Sequence, residues 1–145
     1  MKTNDYILQD LCAGSPLPEL QRTLTQEKIN SYAEAVSDFN PIHVDPAFAA
    51  KTPFGGTIAH GMLILAYVSE VMEIVFGEHW PSSGKLAVRF KSPARSTDTI
   101  TVKGKVDTIS EKDGKHIYKC IVDCHNQDGQ TIIVGDTEIS VPDKH

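Results

Sequence analysis

Two short stretches hold the side chains best suited to chemistry. Residues 37–48 read Ser-Asp-Phe-Asn-Pro-Ile-His-Val-Asp-Pro-Ala-Phe. Asp38 and His43 lie five positions apart across a bend that Asn40-Pro41 stiffens, so a carboxylate and an imidazole can converge on one small molecule. Such a pair suits acid–base work on water: histidine titrates near neutrality, and the carboxylate can hold the other end of the molecule. Asp38 also falls at the carbonyl end of an expected helix, whose dipole disfavours negative charge, so structural needs alone would not select an acid there. Spacing by itself leaves equally open a turn residue beside an ordinary surface histidine.

The second stretch, Phe54-Gly-Gly-Thr-Ile-Ala-His-Gly61, leads into an apolar helix. Gly61 falls in its first turn, where backbone N–H groups lack partners and the dipole is positive. Glycine costs a helix interior about 1 kcal/mol against alanine. It could repay that by letting a carbonyl oxygen reach a free N–H, an oxyanion site, or by allowing close helix–sheet packing. His60 reads more readily as a structural histidine than as a pocket wall.

These residues need positioning elements. Thr25 is a suitable N-cap for a helix whose Ile29, Tyr32, Ala33 and Val36 follow the spacing of one buried face, ending near Ser37-Asp38 because Asn40-Pro41 cannot continue it. A short helix should begin at Asp45-Pro46 and run to Lys51, with Thr52 to Gly56 as a loop. From about Ala59 to Phe76, stopping at Gly77, apolar residues including Met62, Leu65, Val68 and Met72 cover nearly every face, which predicts a helix buried all round. Strands should follow. Leu86, Val88 and Phe90 alternate with Ala87, Arg89 and Lys91; Ile100, Val102 and Val106 alternate with Thr101, Lys103 and Lys105. Tyr118, Cys120, Val122 and Cys124 form another apolar face, and a last strand spans Thr131 to Val141 with a possible bulge at Gly135. Asp113-Gly114 and Asp128-Gly129 are hairpin signals, and Leu17 to Thr23 could add a strand. Helices first and strands after predict an α+β domain, an antiparallel sheet curved around one greasy helix.

Composition narrows the function. The 145 residues are 40% hydrophobic and 23% charged, enough for one core and too apolar for a disordered chain. No run is apolar enough for a membrane span, since the longest candidate meets Glu70 and Glu73. Met1 to Cys12, with Lys2, Asp5 and Asp10, does not read as a secretion signal, so a soluble cytoplasmic protein is expected. A net charge of −5 disfavours nucleic-acid binding. The segment from Lys85 to Lys105 is nonetheless +5, against −10 for the remainder, which fits either a solvated strand face or a patch for a phosphorylated ligand. Cys12, Cys120 and Cys124 are expected as free thiols. The last two are about 13 Å apart on an extended strand, too far for a disulfide or a shared metal.

Asp38-Phe39-Asn40-Pro41-Ile42-His43 resembles the Asp-x-Asn-Pro-aliphatic-His signature of the MaoC-like (R)-specific enoyl-CoA hydratases and 3-hydroxyacyl thioester dehydratases. Ile58 to Leu63 resembles the start of that family's central helix, and Arg89-Phe90-Lys91-Ser92-Pro93 with Asp98-Thr99-Ile100 its strand–turn–strand passage. The likeness extends over residues 17–142 of a single 1–145 domain; Ser37 stands where many members have glycine. The resemblance implies a hot-dog fold, a homodimer with joined sheets, and syn addition of water to a trans-2-enoyl thioester in fatty acid metabolism. On that mapping Asp38 and His43 activate the water and return a proton to the α carbon. Asn40 shapes the loop, the Gly61 N–H polarises the thioester carbonyl, and the Ser69 hydroxyl supports the catalytic pair. No metal or redox cofactor is required. Coenzyme A or phosphopantetheine, on an acyl-CoA or an acyl carrier protein, would bring phosphate toward Arg89 and Lys91, while Met62 would help set the acyl pocket. Two alternatives use the same scaffold: a hot-dog thioesterase, against which the Asp/His pair speaks, and a non-catalytic acyl-thioester-binding subunit of a dehydratase.

Overall fold

The computed structural model describes residues 5–143, with side chains from Leu8 onward; Lys2, used above in reading the N-terminus, lies outside them. The elements in order are α1 (Asp5–Asp10), β1 (Leu20–Thr23), α2 (Gln26–Val36), α3 (Pro41–Val44), α4 (Pro46–Ala50), α5 (Gly61–Phe76), α6 (His79–Ser83), β2 (Lys85–Phe90), β3 (Thr99–Lys112), β4 (Lys115–His125) and β5 (Thr131–Pro142). The strands form one sheet in the order β1-β3-β4-β5-β2, antiparallel throughout. The expected α+β layout and the extra N-terminal strand are both present.

Local chemistry explains the elements. Thr25 caps α2 by accepting a hydrogen bond from the Lys28 N–H at 3.1 Å, and Ser37 closes the helix in the left-handed region at φ 58°. Asp45 caps α4 through the Phe48 N–H, with Pro46 at its first position. Asp113 and Gly114 have φ of 53° and 74°, the two positive values that a two-residue hairpin between β3 and β4 requires. Gly135 departs from expectation. It sits in regular register between Val122 and Val88, and a Cβ there would collide with the Ala87 carbonyl, so close strand approach rather than a bulge demands glycine. The register instead slips between Val106 and Thr108 and between Cys124 and His125.

The core lies between α5 and the sheet. Ile64, Val68, Val71, Met72, Val75 and Phe76 are buried against Val102, Val106, Tyr118, Cys120, Val122, Cys124, Ile133 and Ile139. Each such side chain contributes about 1.5–3 kcal/mol through removal from water. The helix is not buried all round, however. Met62 is 59% exposed and Ala66 is exposed, because one five-stranded sheet covers only one side of a helix. Two further apolar positions expected inside are open, Val36 in the last turn of α2 and Phe90 at the end of edge strand β2. No described helix is long and apolar enough to cross a membrane.

The three cysteines are free, Cys12 exposed and Cys120 and Cys124 buried on the inner face of β4. Burial pushes the Cys120 thiol up to about 11 and the Cys124 thiol to about 12, so neither is a ready nucleophile.

Candidate active site

The bend after α2 is built by backbone geometry. The left-handed Ser37 turns the chain, and the Asp38 N–H bonds back to the Ala33 carbonyl at 3.0 Å. Asp38 Oδ1 then accepts the Asn40 N–H at 3.2 Å, while Asn40 Oδ1 accepts the Ile42 N–H at 3.1 Å and caps α3, with Pro41 at its first position. Asn40 therefore shapes the loop. His43 rides on a four-residue helix, α3, where only a turn was expected. The Gln26 side-chain amide donates to the His43 carbonyl at 2.7 Å, and Gln26 Oε1 accepts the Thr57 hydroxyl at 2.5 Å, tying α2, α3 and the following loop together.

The His43 ring is held in one sense. Its Nδ1 lies 2.8 Å from the Ile58 carbonyl, which can only accept, so Nδ1 carries the proton and Nε2 keeps its lone pair free. Ile58 is itself fixed by its N–H to the Ile42 carbonyl at 3.2 Å. His43 lines a cavity of about 320 Å³ together with Ile58, Gly61, Ile64, Phe90 and Lys91. Asp38, His43 and His60 each bring a ligating atom within 4.8 Å of the other two.

Gly61 opens α5, and no side chain caps that end. The Leu63 and Ile64 N–H groups point to the His60 carbonyl, leaving the N–H groups of Gly61 and Met62 without a partner among the described residues. A Cβ on Gly61 would stand 2.9 Å from Phe90 Cε1. The packing reading of the glycine holds, since it lets the Phe90 ring lie against the helix start, and Gly61 also borders the cavity.

His60 takes the structural place expected of it rather than a place on the cavity wall. It is 4% exposed, its Nε2 lies 3.1 Å from the Asp38 carbonyl, and its ring stacks on His43 with centroids 3.9 Å apart. Its position just before Gly61 is the only signal the sequence offered. Gln26 and Thr57 were missed, because a glutamine in a helix's first turn looks like any surface residue.

The remaining expected site residues scatter. Lys91 lines the cavity with His43, but Arg89 lies on the outer side of the sheet beside Lys103 and Lys105. Of the rest of the basic segment, Lys85 pairs with Glu138 at 3.5 Å, Lys103 with Glu19 at 3.6 Å, and Arg95 donates to the Phe54 carbonyl, so the six basic residues are divided between the cavity, the outer face of the sheet and local pairs. Met62 stands at the helix mouth but outside the cavity lining. Ser69 lies two turns along α5 and makes no hydrogen bond to Asp38 or His43 among the described residues.

Asp38, His43 and His60 include the atom types that bind divalent cations. One nitrogen of each ring is already engaged by a backbone carbonyl, His43 Nδ1 by Ile58 and His60 Nε2 by Asp38, which leaves His43 Nε2, His60 Nδ1 and the carboxylate as the atoms that could face an ion.

A curved antiparallel sheet holding one long helix is the hot-dog fold, and here a carboxylate and an imidazole stand at that helix's open end. The MaoC like domain model matches residues 9–125, and the chain belongs to that family. It is 30% identical to an (R)-specific enoyl-CoA hydratase of Rhodospirillum rubrum, over 98% of each chain. It is also 30% identical to a 3-hydroxybutyryl-CoA dehydratase of Methylorubrum extorquens, over 86% of this chain and 78% of that one. Among solved structures, an (R)-hydratase of Pseudomonas aeruginosa superposes with a TM-score of 0.80 at 26% identity, covering 94% of this chain and 85% of that one. An Aeromonas caviae (R)-hydratase gives 0.78 at 27%, covering 92% and 99%.

Proposed function

We propose that this protein is a hydro-lyase that adds water to trans-2-enoyl thioesters to give (R)-3-hydroxyacyl thioesters, and runs the reverse dehydration. The observation that carries this reading is the single free nitrogen of His43. With Nδ1 committed to the Ile58 carbonyl, Nε2 is the one position on the ring that can take a proton, and His43 lines a cavity that the start of α5 also borders. The Asp38 carboxylate stands within 4.8 Å. A water held between carboxylate and imidazole gives up a proton as its oxygen attacks the β carbon, and a proton passes to the α carbon from the same side. The Gly61 N–H bonds to the thioester oxygen, where negative charge develops once the β carbon is attacked. Asn40 holds the bend that brings the two groups together. The thioester carbonyl supplies the electron sink, so these steps call on no metal or redox cofactor.

The carrier is coenzyme A or the phosphopantetheine of an acyl carrier protein, with Lys91 at the cavity as the residue best placed to meet it. Two copies associate as a homodimer; the open edge of β2 and the exposed Met62 and Phe90 support this. Free thiols and an acyl-thioester substrate suit a cytoplasmic role in fatty acid metabolism.

The test is direct. Purified protein mixed with crotonyl-CoA, without added cofactor, removes the absorbance of the conjugated thioester. Asp38→Asn and His43→Ala each slow turnover by at least about 100-fold. Full activity in either variant rejects that residue's role, and release of free thiol from a saturated acyl-CoA points to a thioesterase instead.

A further inference from the structure

His60 is a buried titratable side chain that the steps above do not use, yet it touches both groups that perform them. Its Nε2–H donates to the Asp38 carbonyl at 3.1 Å, and with the Asp38 N–H on the Ala33 carbonyl this ties the peptide groups on both sides of the Asp38 α carbon. One face of its ring stacks on His43 at 3.9 Å, and Tyr32 of α2 meets it edge-on at 5.0 Å. Its Nδ1 is buried and has no hydrogen-bond partner. A histidine kept only to satisfy the fold would have both nitrogens bonded, because a buried unpaired acceptor costs about 1–3 kcal/mol. Phenylalanine would fill the same space without that cost.

We infer that His60 is a positioning residue for the Asp38–His43 pair, fixing Asp38 through its backbone and His43 through its ring face. The inference rests on the reading that Asp38 and His43 carry the hydration chemistry. The two contacts are separable by mechanism. The Nε2–H sets where the Asp38 peptide lies, and thereby where its carboxylate points. The ring face keeps the His43 imidazole turned so that Nδ1 meets the Ile58 carbonyl and Nε2 stays free. The charged and titratable groups facing His60 are the Asp38 carboxylate, the His43 imidazole and the Tyr32 phenol, together with the positive end of α5, which His60 immediately precedes.

Two substitutions divide the contacts. H60F keeps a flat ring on His43 but removes the donor to Asp38; H60Q keeps a donor but removes the ring. Both are expected to lower kcat on crotonyl-CoA by about 10–100-fold, the range for a misplaced catalytic group, with KM changed less than about twofold. Nitrogen-15 NMR of labelled histidines separates them further: His43 stays in its Nδ1–H form in H60F and becomes a mixture of both forms in H60Q. In the wild type, His60 itself carries its proton on Nε2 and none on Nδ1. Wild-type kcat in either folded variant overturns the inference. So does a rise in KM with kcat unchanged, or an unaltered His43 form in H60Q. Should neither variant fold, the wild-type spectrum decides, and a proton on His60 Nδ1 contradicts the role. A wild type inert toward enoyl thioesters defeats the functional reading instead, leaving the nitrogen-15 result to judge the geometry on its own.

Discussion

The two ends of α5 are made for opposite purposes. At its C-terminal end Val75 and Phe76 are fully buried, the Phe76 ring packs on Tyr118 with centroids 5.3 Å apart, and the Gly77 N–H returns to the Glu73 carbonyl at 2.8 Å. At its N-terminal end Gly61 and Met62 are exposed, no side chain caps the helix, and two histidines and an acid gather beside it. One end closes its backbone groups and fills its space. The other leaves donors and a cavity open, which lowers local stability and creates room for a ligand. The proposed chemistry sits where the helix is least finished.

Substitutions at the two ends should therefore separate activity from stability. The largest effects come first. In Asp38→Asn the loss of turnover should arrive with little loss of melting temperature, since that side chain is exposed, whereas His43→Ala also gives up the Ile58 hydrogen bond and the His60 stack and should cost about 1–3 kcal/mol besides its activity. Phe76→Ala should do the reverse, costing about 3–5 kcal/mol in urea unfolding while the folded fraction keeps its kcat. A variant set in which both ends changed stability alike would erase the contrast.

Gly61→Ala is intermediate. Its Cβ meets the Phe90 ring at 2.9 Å, a flexible side chain that can shift, and alanine returns about 1 kcal/mol of helix propensity. Unfolding should change by less than about 1 kcal/mol, while a methyl beside the free N–H lowers kcat by about 10-fold or more. Asn40→Ala removes the α3 cap at a cost of about 1 kcal/mol and loosens the Asp38 bend, so its kcat should fall further than its stability.

A pH dependence, negligible near neutrality and growing only in alkali, comes last. The Cys120 and Cys124 thiols are raised by burial, so the unfolded chain loses those protons first. The stability they contribute is complete below the ordinary thiol range. It declines as pH rises from about 9 through the folded values of about 11 and about 12. Chemical denaturation between pH 8 and 11 should follow this fall, and Cys124→Ala should flatten it. In the native protein at pH 8, an alkylating reagent should modify Cys12 alone.

Most of the scaffold was legible because its signals are local. The Thr25 and Asp45 caps, the Asp113-Gly114 hairpin and the alternation along β3 and β4 each depend on residues close in sequence. What failed depends on distant partners. The open side of α5 follows from how many strands cover it, the demand for glycine at 135 from the neighbouring Ala87 carbonyl, and the exposure of Phe90 from its place on an edge strand. In the site, Asp38, Asn40 and His43 were readable because one bend contains them. The parts played by His60, Gln26 and Thr57 were not, since each acts across 17 to 31 residues of chain. The separation of Arg89 from Lys91 reflects the strand period, which alternates faces only while the strand lasts, and β2 ends at Phe90.

The central claim is that one carboxylate and one imidazole handle both ends of the water molecule on a single face of the double bond. Hydrating crotonyl-CoA in deuterium oxide and determining both stereocentres of the product tests it most directly. The account predicts an (R) hydroxyl with deuterium added to the α carbon from the same face. Deuterium on the opposite face, or an intact double bond beside free coenzyme A, would contradict it.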